Sequence, residues 1–363
     1  MENTESCPKS EPRGFLHCLV CAVCFALGLG LTCFGIGRRL PFPDVTVVRP
    51  KMEWLTQHGD EFDLMVIGSS RVQHQFMPAL FDQVAADNGR PVRSANVGIA
   101  AMFPPEDAYL IEQVLRRPHR RLRWVLIELW PFTEQVDQAM GASNRMDYWH
   151  DSRRMWLFTR RSVADFRRAD WKGAGSLGKR IDLFGKLLTD WSSNFCAFLR
   201  RSTNYGQGAA LLSERMGEEK RRSKFENGGP KGDGWVDPGE GQPMNARMRN
   251  EYELKLAALR AKPPGHLDDP LAETSLRGSI EKLRAEGIEP ILFLAPALDR
   301  QHFWPKRLLE SVALFDISDP ERYPDLYDPA NRREETHLNL PGSALYTRDL
   351  ALQFVEHTRG LPH

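Results

Sequence analysis

Short, mostly apolar runs alternate with amphipathic segments in the chain between residues 60 and 130. Asp63–Gly68 and Trp124–Leu129 are apolar at consecutive positions and too short for a stable helix, which is typical of strands buried in a parallel sheet. A short second strand is predicted between them at Arg93–Val97. The segments between them, Met77–Asn88 and Pro105–Arg117, have helical spacing and a proline at or near the first turn. This βαβαβ rhythm predicts an α/β fold in which helices cover a parallel sheet.

The same rhythm returns towards the C-terminus. The pattern predicts helices over Asn245–Ala261, Glu273–Glu286 and Pro341–His357, a strand over Pro290–Leu294 and a candidate fifth strand over Val312–Ile317. We therefore expect the N-terminal and C-terminal strands to lie parallel in one sheet, even though about 160 residues separate the two groups.

Residues 134–241 interrupt the strand pattern. Asp147–Arg168 has helical spacing and is rich in arginine and aromatic residues, and Ile181–Leu199 has the pattern of an amphipathic helix. Lys224–Gly241 is rich in glycine, proline and aspartate and is predicted as a loop. The stretch is thus predicted as a helical insertion. It either caps the carboxyl edge of the sheet or has no role in a functional site.

One long apolar run, Phe15–Ile36, precedes the α/β pattern. Its roughly 22 residues are long enough to cross a hydrocarbon core of about 30 Å. No small-residue cleavage site follows it, so an uncleaved transmembrane anchor is predicted, with a cleaved signal peptide as the alternative. Basic residues lie on both sides of the run and leave its orientation open. The predicted organisation is a tail over 1–14, a transmembrane helix over 15–36, a proline-containing linker over 37–60 and an α/β domain over 61–363.

Composition narrows the class further. The chain has 363 residues and a formal net charge of +1, which argues against a dedicated nucleic-acid partner. Five of the six cysteines lie in or before the apolar run and only Cys196 lies in the soluble part, so that part has no internal disulfide. The histidines are scattered, and no glycine-rich phosphate loop is visible, so the sequence predicts neither a metal site nor a cofactor.

Two short motifs carry candidate chemistry. Gly68-Ser69-Ser70 follows the first predicted strand, so a serine hydroxyl is expected at the carboxyl edge of the sheet, where open α/β sheets bind ligands. These serines could instead cap the following helix. His337 has Glu334 three residues before it, with Glu335 and Asp328 as alternative carboxylates. A nucleophile, a base and an orienting acid are the parts that acyl transfer needs.

The chain resembles the SGNH, or GDSL-like, hydrolase superfamily at these positions. Gly68-Ser69-Ser70 is similar to the family's first block, Asn96-Val97-Gly98 to its second and Glu334-x-x-His337 to its last. The resemblance implies a three-layer α/β/α sheet of flavodoxin-like type. It also implies that Ser70 is the nucleophile, that His337 is the base oriented by Glu334, and that the N–H groups of Ser70 and Gly98 form an oxyanion hole.

The chain departs from the family pattern at three places. Ser69 and Glu334 both stand where the family has aspartate, and the third strand is followed by Leu129-Trp130-Pro131 rather than by an asparagine. Relatives without this asparagine include membrane-linked proteins of cell-surface polymer acylation. Further candidate residues for the wall of the site are Ser69, Arg71, Asn96 and Trp130.

The resemblance therefore implies a single-pass membrane protein with a short inside tail and an extracytoplasmic SGNH-like domain. The expected activity is serine-dependent hydrolysis of an acyl ester, or acyl transfer to a carbohydrate hydroxyl, through an acyl-enzyme. The competing class is a non-catalytic anchored module that binds a surface polymer or a partner enzyme.

Overall fold

A computed structural model of the chain describes residues 12–38, 40, 42–43, 45, 48–102, 104–130, 144–169, 176–204, 232–237, 244–262, 264–298 and 301–360. The chain divides into two compact units. The helical unit comprises residues 1–43 and 141–220, and the sheet unit comprises residues 44–140 and 221–363.

The described strands all run parallel to their neighbours. They are β1 Leu64–Ile67, β2 Ser94–Asn96, β3 Trp124–Glu128, β4 Gly265–Leu267, β5 Glu289–Leu294, β6 Gln301–Phe303 and β7 Ala313–Asp316. Five of them form one sheet in the order β2-β1-β3-β5-β7, while β4 and β6 pair separately. The α/β class and the parallel sheet, including the candidate fifth strand, are thereby confirmed.

The described helices mostly match the predicted segments to within a few residues. They are α1 Pro12–Gly37, α2 Val48–His58, α3 Ser70–Gln75, α4 Pro78–Asp87, α5 Glu106–Leu115, α6 Asn144–Trp149, α7 Ser152–Arg168, α8 Leu177–Ser202, α9 Ala246–Ala261, α10 Pro270–Ala285, α11 Lys306–Leu309 and α12 Leu340–Thr358. Short 3₁₀ turns lie at Gly59–Glu61, Pro324–Tyr327 and Pro329–Asn331.

The core of the sheet unit lies on both faces of the sheet. Every residue of β1, β2 and β3 is buried. Consecutive apolar positions predicted this for β1 and β3, whereas β2 consists of Ser94, Ala95 and Asn96. On one face, the ring of Phe354 on α12 lies 5.3 Å from Trp124 of β3 and 5.5 Å from Phe81 of α4. Burial of every position in these strands requires cover on the opposite face as well. The strands therefore reach the carboxyl edge of the sheet with both of their faces covered.

Helix α2 lies inside the segment 37–60 that the sequence predicts as a linker. Pro50 is the third residue of α2, where a missing N–H costs no intrahelical hydrogen bond. Met52 and Leu55 are buried, and the ring of Trp54 packs 5.2 Å from Phe62. The prolines suggest an extended connector, but the apolar face of this helix belongs to the sheet unit.

The helical unit contains α1 and the insertion helices α6, α7 and α8. Within the described residues, α1 is the one helix long and apolar enough to cross a membrane, over Gly14–Gly37, and none of that stretch is buried. The predicted helix Asp147–Arg168 is broken before Ser152, because Asp151 caps α7 through the Arg154 N–H. Residues 141–220 of the predicted insertion belong to the same unit as α1, whereas residues 134–140 and 221–241 belong to the sheet unit. Residues 134–143 and most of the predicted loop 224–241 lie outside the described residues.

Candidate active site

The two adjacent serines after β1 have different roles in the structure. The Ser69 hydroxyl accepts a hydrogen bond from the Arg71 N–H at 3.2 Å and so caps α3. The Ser69 N–H donates to Oε2 of Glu128 at 2.6 Å. Ser70 is the first residue of α3, and its hydroxyl lies 2.7 Å from Nε2 of His337. The capping alternative therefore applies to Ser69 and leaves the Ser70 hydroxyl available for chemistry.

His337 lies in a tight turn that directly precedes α12, not inside that helix. The Arg333 N–H donates to the His337 carbonyl at 3.0 Å, and Arg332 forms an isolated antiparallel bridge with Leu338. Asn339 then caps α12 by accepting from the Gly342 N–H at 3.0 Å. The hydrogen bonds that close this turn bring the side chains of residues 334 and 337 next to each other, although neither residue lies in a helix.

Glu334 completes the chain of polar contacts. Its Oε1 contacts Nδ1 of His337, and both carboxylate oxygens accept from Thr336, whose N–H lies 3.0 Å from Oε2. Partial burial opposes ionisation of Glu334, but the hydrogen bonds from His337 and Thr336 outweigh it and lower its pKa to about 2. An ionised Glu334 keeps the proton of a neutral His337 on Nδ1. The lone pair of Nε2 then faces the Ser70 hydroxyl.

The two alternative carboxylates lie elsewhere. Glu335 forms an ion pair with Lys255, whose Nζ lies 2.6 Å from both carboxylate oxygens. Asp328 caps the turn Pro329–Asn331 by accepting from the Ala330 N–H at 2.8 Å. Of the three carboxylates near the motif, Glu334 is the one that contacts His337.

Gly98 and Asn96 do not form the arrangement expected of an open oxyanion hole. The Gly98 N–H donates to Oδ1 of Asn96 at 2.9 Å, so this donor is already satisfied within its own turn. Asn96 is fully buried, and its Nδ2 donates to the carbonyls of Val72 and Phe76 at 2.7 Å each. It therefore holds the turn. A Cβ on Gly98 would overlap the backbone of Gln73, which explains why glycine is needed there.

A buried ion pair lies at the end of β3, close to the place where the SGNH resemblance predicts an asparagine. Nε of Arg71 donates to Oε1 of Glu128 at 2.6 Å, and their side chains are only 4% and 2% exposed. The guanidinium of Arg71 also lies 3.9 Å over the ring of Trp130. Gly68 permits this approach, because a Cβ there would lie 2.5 Å from Oε2 of Glu128. Glu128 thus ties the end of β3 to the turn that carries Ser70.

Two buried cations support the site, and sequence reasoning missed both. Nζ of Lys51 on α2 donates to the carbonyls of Asn96 and Gly98 and so stabilises the turn that follows β2. Complete burial lowers the pKa of Lys51 to about 7, although the charge of Asp233 raises it. The sequence does not indicate this burial, because Lys51 lies in the segment predicted as a linker.

Arg332 is the second buried cation. It is 1% exposed and donates to the carbonyls of Leu326, Pro296 and Glu335, with the Leu326 and Glu335 bonds at 2.8 and 2.7 Å. These bonds tie the turn of His337 to the segment that follows β5. An arginine with acidic neighbours in the sequence is usually exposed, so the local pattern does not indicate that Arg332 is buried.

A second histidine lies beside His337. The rings of His74 and His337 are 6.5 Å apart, and Nδ1 of His74 lies 3.0 Å from the carbonyl of Val236. Burial, together with the nearby His337, lowers the pKa of His74 against the opposing effect of that carbonyl. The segment 232–237 therefore borders the site, and its Trp235 donates to the His74 carbonyl at 3.0 Å.

No protein-family model matches this chain, and no curated protein matches it either. A functional assignment therefore depends on the geometry of the site itself.

Proposed function

We propose that the protein is an SGNH-like serine esterase or O-acyltransferase. The observation that carries the proposal is the contact between Ser70 and His337, which are 267 positions apart in the chain and 2.7 Å apart at Oγ and Nε2. Glu334 contacts the other ring nitrogen. A hydroxyl, an imidazole and an ionised carboxylate in this order are the arrangement that activates a serine for acyl transfer.

The position of Ser70 in the sheet supports the same proposal. Counting the strands of the main sheet alone along the chain, their spatial order is 2-1-3-4-5, the order of flavodoxin-like sheets. Ser70 follows β1, which is a central strand, at the carboxyl edge where such sheets bind ligands. The SGNH resemblance predicts the nucleophile at this place.

The proposed reaction has two steps. The Ser70 oxygen attacks the ester carbonyl carbon while His337 Nε2 takes the hydroxyl proton, and Glu334 stabilises the resulting imidazolium. The intermediate expels the alcohol, which takes the proton from His337, and leaves an acyl group on Ser70. Water or a carbohydrate hydroxyl then attacks the acyl-enzyme and gives its proton to His337. The intermediate collapses, the attacking oxygen keeps the acyl group, and His337 returns the proton to the leaving Ser70 oxygen. Hydrolysis and transfer share every step except the identity of this second nucleophile.

The proposed substrate is an acylated carbohydrate or surface polymer, and α1 is proposed to anchor the domain outside the cytoplasm. The length and apolar character of α1 support a single membrane span. The SGNH resemblance supports the side of the membrane and the class of ester.

A second candidate function is a non-catalytic anchored module that binds a surface polymer or a partner enzyme. The specific observation in its favour is the Gly98 N–H, which is bonded to Asn96 and leaves the N–H of Ser70 as the remaining expected donor. Loss of one oxyanion donor costs about 10²–10³ in kcat in a serine hydrolase. A reduced oxyanion hole therefore suits either a slow enzyme or a binding protein.

Labelling with a fluorophosphonate probe distinguishes the two. The full-length protein in detergent should form an adduct that maps to Ser70, and Ser70→Ala and His337→Ala should each abolish it. Ser69→Ala is the matched control, because it removes the neighbouring hydroxyl and the helix cap but not the proposed nucleophile. A folded wild-type protein that forms no adduct would favour the binding module.

A further inference from the structure

The paired helices α7 and α8, here called the hairpin, expose one continuous apolar face. On α7 this face consists of Trp156, Val163 and Phe166, and on α8 of Ile181, Phe184 and Leu188. Their spacings of three, four and seven residues place them on one side of each helix. The rings of Phe166 and Phe184 lie 6.3 Å apart and join the two halves. The side chains are largely exposed, with Trp156 at 65% and Ile181 at 63%.

The contact between the two helices runs along one edge of this apolar face. There Trp191 donates to the Thr159 hydroxyl at 3.2 Å, seven residues along each helix from the Phe166 and Phe184 pair, and His150 contacts Oδ1 of Asn194 at 2.8 Å. Phe158 and Met155 are buried, whereas Trp156 and Ile181 remain exposed. An exposed apolar face of this extent on two helices marks an interaction surface.

The charge of the hairpin indicates an anionic partner. Helices α7 and α8 carry eleven basic and three acidic side chains, whereas the whole chain has a net charge of only +1. On α7, the exposed Arg160 and Arg167 lie at the border of the apolar face, by their helical spacing from Trp156 and Val163. Aromatic and aliphatic residues on one face with arginine beside them are typical of helices that lie in a membrane interface.

The hairpin is also attached to the apolar helix. It belongs to the same compact unit as α1. Directly after α8, Asn204 donates through Nδ2 to the Cys33 carbonyl of α1 at 2.6 Å, and the Thr203 carbonyl accepts from the Cys33 thiol at 3.8 Å. Cys33 lies one turn from the end of α1, and the exposed Leu199 lies one turn from Thr203. If α1 spans the bilayer, this end of the hairpin lies at the level of the lipid headgroups.

We propose that the hairpin lies in the membrane interface, with its apolar face among the acyl chains and its arginines on anionic phospholipid headgroups. The protein would then hold the membrane at two places, the span of α1 and the surface contact of the hairpin. This inference goes beyond the proposed function. It rests on α1 lying in the membrane and does not depend on the chemistry of Ser70.

Photo-crosslinking in the full-length protein tests this inference. A benzoylphenylalanine is placed at Ile181 on the apolar face, at Lys186 on the opposite side of the same helix as a matched control, and at Leu27 within α1. We expect phospholipid adducts at positions 27 and 181 and none at position 186. Fluorophosphonate labelling of Ser70 should be the same in all three proteins.

The outcomes separate the two claims. Lipid adducts at 27 with none at 181, or an adduct at 181 to a second copy or to another protein, would overturn the hairpin proposal and leave the α1 anchor intact. The absence of adducts at both positions would overturn both. Absence of fluorophosphonate labelling would bear on the proposed activity alone.

The charge component has its own test. In nanodiscs of phosphatidylcholine, the adduct yield at position 181 should rise when phosphatidylglycerol is included. The double variant Arg160→Gln/Arg167→Gln should lose that rise, because the exposed arginines contact the headgroups. Equal yields for the wild-type protein in both lipids would overturn the anionic-lipid assignment.

Discussion

Oδ1 of Asn96 accepts a hydrogen bond from the Gly98 N–H at 2.9 Å, two residues along the same turn. The same amide group donates from Nδ2 to the carbonyls at the end of α3. One buried side chain therefore joins the turn after β2 to the helix that begins at Ser70, and it occupies a donor that the SGNH resemblance assigns to the oxyanion. The start of the helix that carries Ser70 and the engagement of the Gly98 N–H are therefore linked through one side chain.

Asn96→Ala should destabilise the protein by about 2–4 kcal/mol, because it leaves several buried polar groups without partners. The matched control is Asn88→Ala, since Asn88 also donates to a backbone carbonyl, that of Val84 at 2.8 Å, but at the exposed end of α4. That change should cost less than about 1 kcal/mol. Denaturant titration of the full chain in detergent measures the free energy of unfolding of both variants. Equal decreases in that free energy would contradict the role assigned to Asn96.

Glu334→Gln should slow formation of the acyl-enzyme by about 10²–10⁴-fold, less than loss of Ser70 or His337, because an amide no longer holds the imidazole in its reactive tautomer. Glu335→Gln is the control, since Glu335 pairs with Lys255 and not with His337. Its rate should be that of the wild-type protein. Stopped-flow acylation by a simple acetyl ester measures both rates, and a larger effect at residue 335 would reassign the orienting acid.

Arg332→Lys should lower both the melting temperature and the acylation rate. A lysine lacks the planar fork with which Arg332 reaches the carbonyls of Leu326 and Glu335, so the turn that carries His337 loses its support. Arg322→Lys, at an exposed position in the same region, should change neither. A variant at 332 that melts earlier but acylates at the wild-type rate would limit Arg332 to a structural role.

Asp82→Asn should stabilise the protein at alkaline pH and not at acid pH. Burial raises the pKa of Asp82 to about 7 against the hydrogen bonds from Ser94, so between about pH 4 and pH 7 the folded state binds more protons than the unfolded state. The stability supplied by the protonated carboxyl is complete below its unfolded pKa and is lost as the pH rises through about 7. The amide introduced by this substitution would keep an acceptor for the Ser94 N–H without the charge.

The difference between Asp82→Asn and the wild-type protein should grow by about 2 kcal/mol between about pH 5 and about pH 8. Exposed Asp87→Asn on the same helix should show no such growth. A pH-independent difference at residue 82 would mean that the carboxyl is already ionised at low pH in the folded protein.

The sequence alone determined the strands of the main sheet, most of the longer helices and the order of the motifs, but not the separate pair of β4 and β6. β1, β3 and β5 lie within one residue of the predicted runs, because a strand buried on both faces needs consecutive apolar residues and little else competes for that pattern. The apolar run that became α1 was visible for the same reason, since its signal comes from composition over a single stretch of chain.

Only the tertiary structure decided which polar groups meet. The contact of Ser70 with His337, the selection of Glu334 over Glu335 and Asp328, and the engagement of the Gly98 N–H all depend on the spatial placement of a side chain. Burial of Lys51 and Arg332 was equally invisible, because a charged residue in a sequence carries no mark of the carbonyls that surround it after folding. Apolar patterning acts over neighbouring residues, whereas hydrogen bonds select individual atoms across the fold, so the sequence determined the scaffold and the folded chain determined the site.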